Sequence, residues 1–283
     1  MNDYFLSAFL GVIEGLTEFL PVSSTAHLRI AEAMLGLNLG SGYWKMFSIV
    51  IQLGAILTLP IYFWNRITEF LSTFPSGSRG DRTPLTHPLS LTILAFLVTA
   101  APAFLLTKVI GKNLESLPLM AGSLIVGGVI MWVVDAVYSN RGQTRFMDDM
   151  TTPQAIWIGI CQLVSAVVPG TSRSMATIAG GQLVGMTRAA ALEFSFFLSI
   201  PTMAVATGYE ALKTLRHGNA ESVAMNGHLW TLLIIGFLVS FVVAYAVVAW
   251  FMAWVRRHGF VPFAIYRILA GAFVFYWAFH TAH

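Results

Sequence analysis

Glu14-Gly15-Leu16-Thr17-Glu18-Phe19-Leu20-Pro21-Val22-Ser23-Ser24-Thr25-Ala26-His27 packs two carboxylates, a run of hydroxyls and an imidazole into one short piece of an otherwise apolar chain. Glu14 and Glu18 are four residues apart, so on a helix they share a face, where like charges repel. A divalent cation beside them would remove that penalty. Pro21 then ends the helix, and Ser23, Ser24 and Thr25 are residue types that cap a new one. A helix N-terminus rich in hydroxyls is a ready anion site. Ser24 and His27 are three apart, so on the second helix their side chains can meet. Carboxylates for a metal, an N-terminus for phosphate and a Ser/His pair point to phosphoryl chemistry.

The position of this break decides the fold. Residues 4–13 are apolar and lead into Glu14; residues 26–37 are helix-like again and end near Gly36-Leu37-Asn38-Leu39-Gly40. Neither piece reaches the roughly 20 residues that a membrane crossing needs. Two short helices around a Pro/Ser break read as a re-entrant hairpin. Such backbone is tolerated at membrane depth only where it is buried in protein or lines a cavity.

The rest of the chain supplies that membrane setting. Of 283 residues, 57% are apolar and 10% charged, against about 25% charged in soluble domains. Mean hydropathy is +0.73. This is the composition of a polytopic membrane protein. The net charge of +3 is spread over loops, which argues against a nucleic-acid partner and suits a neighbour of lipid head groups. The single cysteine, Cys161, excludes an internal disulfide and reads as a small apolar residue. Residues 1–13 lack a basic n-region and a cleavage site, so the N-terminal segment is expected to be retained.

Spans are expected at 46–64, 89–107 and 119–138. The first ends in the aromatic belt Tyr62-Phe63-Trp64 followed by Asn65-Arg66. Pro102 kinks the second, and Gly122, Gly127 and Gly128 allow the third to pack closely. Residues 65–88 and 139–152 read as polar loops.

After residue 150 the pattern restarts. Gly11-Val12-Ile13-Glu14 aligns with Gly159-Ile160-Cys161-Gln162 at an offset of 148, which sets Pro21 against Pro169, Ser23 against Thr171 and Ser24 against Ser172. Phe47-Ser48 and Phe194-Ser195, Phe96-Leu97-Val98-Thr99 and Phe237-Leu238-Val239-Ser240, and Ala121-Gly122 and Ala270-Gly271 follow in the same order. Each half then holds one hairpin and three spans. Three is odd, so the second half is inserted upside down, and the two hairpin tips can meet near the midplane. The expected fold is an all-α integral membrane protein with six transmembrane helices plus two re-entrant helical hairpins, arranged as two inverted-topology repeats. The repeats run from about 1–138 and about 150–283 within one membrane domain.

The second tip is Pro169-Gly170-Thr171-Ser172-Arg173-Ser174. It keeps the hydroxyls, but Gln162 and Ala166 replace the two acids, and Arg173 is new. One composite site follows, with cation and nucleophile on the first tip and phosphate held by the second. Arg173 in an apolar segment calls for an anion, or for Glu18 as an ion-pair partner holding the hairpins together. Ser24 can serve as a helix cap as well as a nucleophile, and His27 can be an interior histidine. Glu193 reads as an interfacial salt-bridge residue. Gln52 and Ser199 are repeat partners that could line the site. Asp135 and Lys108, near span ends, read as solvated. His217, His228, His280 and His283 carry no assignment.

The acid pair Glu14/Glu18, the Pro21-Val22-Ser23-Ser24-Thr25-Ala26-His27 run and the Pro169–Ser174 tip together resemble the two signature motifs of the undecaprenyl-diphosphatase family, also known as bacitracin-resistance proteins. The resemblance covers essentially the whole chain. It implies hydrolysis of undecaprenyl diphosphate to the monophosphate, which recycles the lipid carrier of peptidoglycan synthesis and confers bacitracin resistance. It further implies a bacterial inner-membrane protein with a polyprenyl diphosphate substrate, dependence on a divalent cation (Mg²⁺ or Ca²⁺ on Glu14 and Glu18) and a site open to the periplasm. Carried over by motif, Glu14, Glu18, Ser24, His27 and Arg173 are the catalytic set. Ser23, Thr25, Gly170, Thr171, Ser172 and Ser174 are the expected substrate contacts. Membrane lipids are expected partners, and an oligomer is compatible with the sequence.

A carrier for lipid phosphate is the main rival, since inverted repeats with broken helices are transporter architecture. It would not need the Glu/Ser/His chemistry. The acid-phosphatase type of lipid phosphatase is excluded: Ala179 and Leu183 stand where it needs His and Asp after Ser172-Arg173. Arg66, Arg79, Arg82, Arg141, Arg145, Arg256 and Arg257 lie on one side of the expected topology, against Lys108, Lys112, Lys213 and Arg216 on the other. That bias makes the first side cytoplasmic and puts both termini in the periplasm.

Overall fold

The computed structural model describes residues 2–37, 42–106, 116–217 and 226–281. Lys108, Lys112 and His283, and the expected end of the first hairpin at Asn38–Gly40, lie outside them. The described chain folds into helices α1 (Asp3–Thr17), α2 (Ser24–Leu35), α3 (Gly42–Tyr62), α4 (Trp64–Thr73), α5 (Pro88–Leu105), α6 (Leu117–Tyr138), α7 (Thr152–Val167), α8 (Arg173–Leu183), α9 (Arg188–His217), α10 (Gly227–Val255) and α11 (Val261–Thr281). Six of them, α3, α5, α6, α9, α10 and α11, are long and apolar enough to cross a membrane. The chain is an all-α, multi-pass membrane protein.

The four helices around the two breaks are shorter. At about 1.5 Å per residue, the 16-residue α7 is the longest of them, and it falls short of a hydrocarbon core of about 30 Å. Small residues let these short helices lie against long ones. A Cβ on Gly11 would come within 2.7 Å of Gly236 O, and one on Gly15 within 2.7 Å of Ser240 O, so α1 rests directly on the α10 backbone. Gly159 does the same for α7, where a Cβ would meet Ala95 O of α5 at 2.6 Å. Helix α6 packs along α11, and α3 lies between α9 and α10. Phe19, Phe63, Phe194, Phe196, Phe251 and Phe260 fill the interior between them.

Three expectations are corrected. First, residues 65–88 are not simply a polar loop, because α4 occupies Trp64–Thr73. Its Arg66, Glu69, Phe70 and Thr73 recur at helical spacing and turn inward, with the Arg66 guanidinium 4.4 Å from the Phe70 ring centre. Arg66 also binds Glu69 at 2.9 Å, Glu193 at 3.1 Å and Asp148. Its guanidinium and the Ser78 hydroxyl hold the Glu69 carboxyl below its usual range. Glu193 is thus the salt-bridge residue expected.

Second, Asp135 is not solvated. It is fully buried, takes Arg188 Nε and Nη2 at 2.6 and 2.8 Å, and accepts the Phe260 N–H at 2.9 Å. A carboxylate can be buried this way because three charged or backbone donors meet its two oxygens.

Third, the register of the tips differs by one residue. The caps of α2 and α8 are Ser23 and Ser172, both at positive φ (73° and 69°). Ser23 therefore corresponds to Ser172, and Ser24 to Arg173, whereas Gly11 and Gly159 keep the expected offset. The second half thus carries one more residue between the matched glycine and the cap, and helix α7 rather than the break takes it up. Gly170, at φ +86°, sits in that break against the Met120 backbone, where a Cβ would come within 2.8 Å.

Candidate active site

Both breaks are built by the same local physics. In each, a serine accepts a first-turn N–H through its hydroxyl: Ala26 N to Ser23 Oγ and Met175 N to Ser172 Oγ, each at 3.4 Å. A non-glycine residue at positive φ carries strain of order 1–3 kcal/mol, which the surrounding contacts hold in place. Ser174 Oγ donates to Leu20 O across the two breaks at 2.9 Å. The first N–H groups of α2 and α8 have no acceptor within their own helices, so each helix start offers donors to an anion.

A cavity of about 240 Å³ lies between the breaks. Glu18, Ser23, Ser24, Thr25, Gly170, Ser172 and Arg173 line it, so residues of both tips face one cavity. Thr171 and Ser174, expected as substrate contacts, are buried and do not line it. Ser174 ties the breaks together instead. Of the two repeat partners that could line it, Gln52 of α3 does; Ser199 does not, and its hydroxyl turns to Ser195 O at 2.6 Å.

The polar contacts form a chain. Ser24 Oγ donates to Glu18 Oε2 at 2.5 Å, and Arg173 Nη2 donates to Glu18 Oε1 at 3.2 Å. Arg173 Nη1 is buried with no partner. Glu14, one turn before Glu18, is buried with its carboxyl facing that of Glu18, and neither of its oxygens meets any other partner. Two acids face one arginine here. The two orphaned oxygens and the excess negative charge are what a cation would complete. Among the described residues no group of three or more His, Cys, Asp or Glu side chains could hold such an ion alone.

The expected pairing of Ser24 with His27 is absent. His27 Nδ1 contacts Ser23 O at 2.7 Å and Nε2 contacts the Tyr266 hydroxyl at 2.6 Å, so both ring nitrogens are engaged elsewhere. The imidazole follows the first turn of α2 back to its cap while Ser24 turns to Glu18.

Two groups escaped the sequence reading. Thr99, Gln162 and Thr202 form a hydrogen-bonded wall of the cavity, Gln162 Nε2 donating to Thr99 Oγ1 at 3.1 Å and Thr202 Oγ1 at 3.2 Å. The replacement of Glu14 by Gln162 in the second half was the available signal. Arg267 is fully buried in α11 and donates to Pro21 O, Ser123 O, Gly170 O and Thr171 O. A lone arginine in the middle of an apolar span was its signal.

A larger cavity of about 460 Å³ lies under α4, lined by Arg66, Arg82, His87 and Glu193 among others. It holds none of the motif residues, and its charges are largely paired with one another.

The family model described as Bacitracin resistance protein BacA matches residues 7–273. Among curated proteins, an undecaprenyl-diphosphatase of Koribacter versatilis (strain Ellin345) is 66% identical over 283 residues, covering 98% of this chain and 99% of its own. Undecaprenyl-diphosphatases of Rhizobium etli (strain CIAT 652) and Caldanaerobacter subterraneus subsp. tengcongensis are 42% and 40% identical, each over at least 95% of both chains.

Proposed function

This chain belongs to the bacitracin resistance protein BacA family, and on that premise we propose how its cavity performs the reaction for which its relatives are named. The chain is an undecaprenyl-diphosphatase, removing the terminal phosphate of undecaprenyl diphosphate. The observation that carries the mechanism is the Ser24–Glu18–Arg173 chain across the two breaks.

The diphosphate enters between the start of α2 and the start of α8. Arg173 Nη1 and the first-turn N–H groups hold the terminal phosphoryl oxygens, where transition-state charge accumulates. Ser24 Oγ attacks the terminal phosphorus, its proton passing to Glu18 Oε2. The bond from phosphorus to the bridging oxygen breaks, and undecaprenyl phosphate leaves without needing a proton. Water then attacks the phosphoserine while the protonated Glu18 returns its proton to the departing Ser24 oxygen, and phosphate leaves carrying both of the water's protons, which restores the Ser24 hydroxyl and the Glu18 carboxylate. Glu14 with Glu18 would hold a divalent cation, Mg²⁺ or Ca²⁺, which neutralises diphosphate charge when bound. His27 braces the cap rather than accepting the proton.

The two-repeat reading is supported by the matched strained serines at the breaks and by α1 resting on α10 as α7 rests on α5. Inverted insertion would bring two breaks from opposite membrane faces to one cavity. The arginine bias of the loops supports a periplasmic opening in the inner membrane, consistent with recycling of a lipid carrier.

The test is phosphate release from a polyprenyl diphosphate by the purified chain in detergent, where a carrier would release none. Ser24→Ala should abolish nearly all turnover while substrate still binds. A loss of only about tenfold, or about 1.4 kcal/mol of barrier, would mean that Ser24 orients phosphate and water attacks directly. Glu14→Gln should weaken turnover and the response to added Mg²⁺ or Ca²⁺ together.

A further inference from the structure

Arg267 donates from Nη1 to Pro21 O at 3.0 Å, and from Nη2 to Ser123 O, Gly170 O and Thr171 O at 3.1, 3.2 and 3.0 Å. It is fully buried, and among the described residues no carboxylate pairs with it. A buried guanidinium answered only by carbonyls is unusual, since burying a cation is costly unless something depends on it. Its acceptors are not scattered. One lies in the first break, two lie in the second, and the fourth is in α6 alongside. Helix α6 makes room for it: a Cβ on Gly127 would come within 2.3 Å of Nη2.

The carbonyls it takes decide where the opposite edges of their peptides point. In a trans peptide the C=O and N–H groups point in opposite directions. For the Pro21–Val22 peptide, the N–H of Val22 is used by Leu20 O at 2.8 Å; for Gly170–Thr171, the N–H of Thr171 is used by Val168 O at 3.3 Å. For Thr171–Ser172, the N–H of Ser172 has no protein acceptor among the described residues, and Ser172 lines the cavity.

We infer that Arg267 is a positioning residue for phosphoryl transfer: it pins both breaks from behind and turns the Ser172 N–H toward the phosphoryl oxygens in the cavity. This rests on the phosphatase reading above. Arg267 touches no substrate atom. It sets the strained caps at Ser23 and Ser172 at the separation that lets Ser24 and Arg173 act on one phosphorus. It also adds a positive charge behind the anion site.

The experiment uses the full-length chain in detergent with a polyprenyl diphosphate, comparing the parent with Arg267→Gln, Arg267→Lys and Gly127→Ala. Rates are expressed per folded molecule, and inhibition by orthovanadate, a trigonal-bipyramidal phosphate mimic, is measured alongside. Arg267→Gln should lower kcat by about 100-fold, the usual cost of losing a preorganised oxyanion donor, with little change in KM. Vanadate inhibition should weaken by a similar factor. Arg267→Lys should recover part of both, since it restores the charge but not the planar fork. Gly127→Ala keeps the guanidinium but displaces it, and should lower kcat by about tenfold. If Arg267→Gln does not fold, Gly127→Ala decides alone. An effect confined to KM, or kcat and vanadate inhibition unchanged per folded molecule, overturns the inference, leaving Arg267 a packing residue. A parent that releases no phosphate overturns the phosphatase reading and this inference with it. An active parent with unaffected variants overturns this inference alone.

Discussion

A carbonyl oxygen can only accept, so the contact of His27 Nδ1 with Ser23 O places a hydrogen on Nδ1. In the neutral ring Nε2 then accepts from Tyr266, whose ring also stacks on the imidazole with centroids 5.6 Å apart. The proton from Ser24 has a shorter route, to Glu18. At the residue scale this separates two side chains that the motif places together. His27→Ala should cost about tenfold in kcat, whereas Glu18→Gln should cost on the order of a thousandfold, as expected for loss of a general base. Single-turnover phosphate release distinguishes them. Abolished turnover in His27→Ala with near-normal turnover in Glu18→Gln would return the base role to the imidazole. The motif offers the candidates; which of them touch depends on the rotation of Ser24 about the α2 axis, and no spacing rule supplies that.

At the scale of elements, the glycines divide into those that set a helix contact and those that do not. A Cβ on Gly15 would meet Ser240 O at 2.7 Å and Val243 Cβ at 2.8 Å, while one on Gly122 would meet nothing within 4 Å. Gly15→Ala should push α1 off α10, costing about 1–3 kcal/mol and disturbing Glu14 and Glu18, which ride on α1. Gly122→Ala should leave activity intact and hold or slightly raise stability, because alanine restricts the unfolded chain. Thermal unfolding in detergent, read beside activity, checks the pair, and equal responses would contradict this division. The sequence placed Gly122, Gly127 and Gly128 in one packing stripe. Only the partners show that Gly128 admits α11, with Ala264 O 2.8 Å from its Cβ position, and that Gly127 admits a guanidinium.

At the scale of the molecule, charge is gathered at one end of the bundle as well as at the site. Asp135 and Arg188 join α6 to the start of α9, and the Phe260 N–H brings in the chain entering α11. Arg188→Ala would leave a buried carboxylate without its cation, at a cost of about 3 kcal/mol; the lower end of the usual range applies because Arg188 keeps some solvent contact. Since neither residue lines the cavity between the breaks, the melting temperature should fall while kcat per folded molecule stays unchanged. A fall in kcat at unchanged stability would instead reveal coupling between the end of the bundle and the site.

Local chemistry and periodicity were enough to read the six spans, the two broken helix pairs and the acids, hydroxyls and arginine at the breaks. Hydropathy and helix-breaking act over a few neighbouring residues, and so are written in the order of the chain. The one-residue register shift between Ser23 and Ser172 was not legible, because the Pro, Gly and hydroxyl residues of the break suit either alignment and do not show where the helix before it ends. Nor was the burial of Asp135 beside Arg188, or the grip of Arg267 on both breaks. Each depends on elements far apart in sequence arriving at one place, and the free energy of burying a charge is decided by what it meets there.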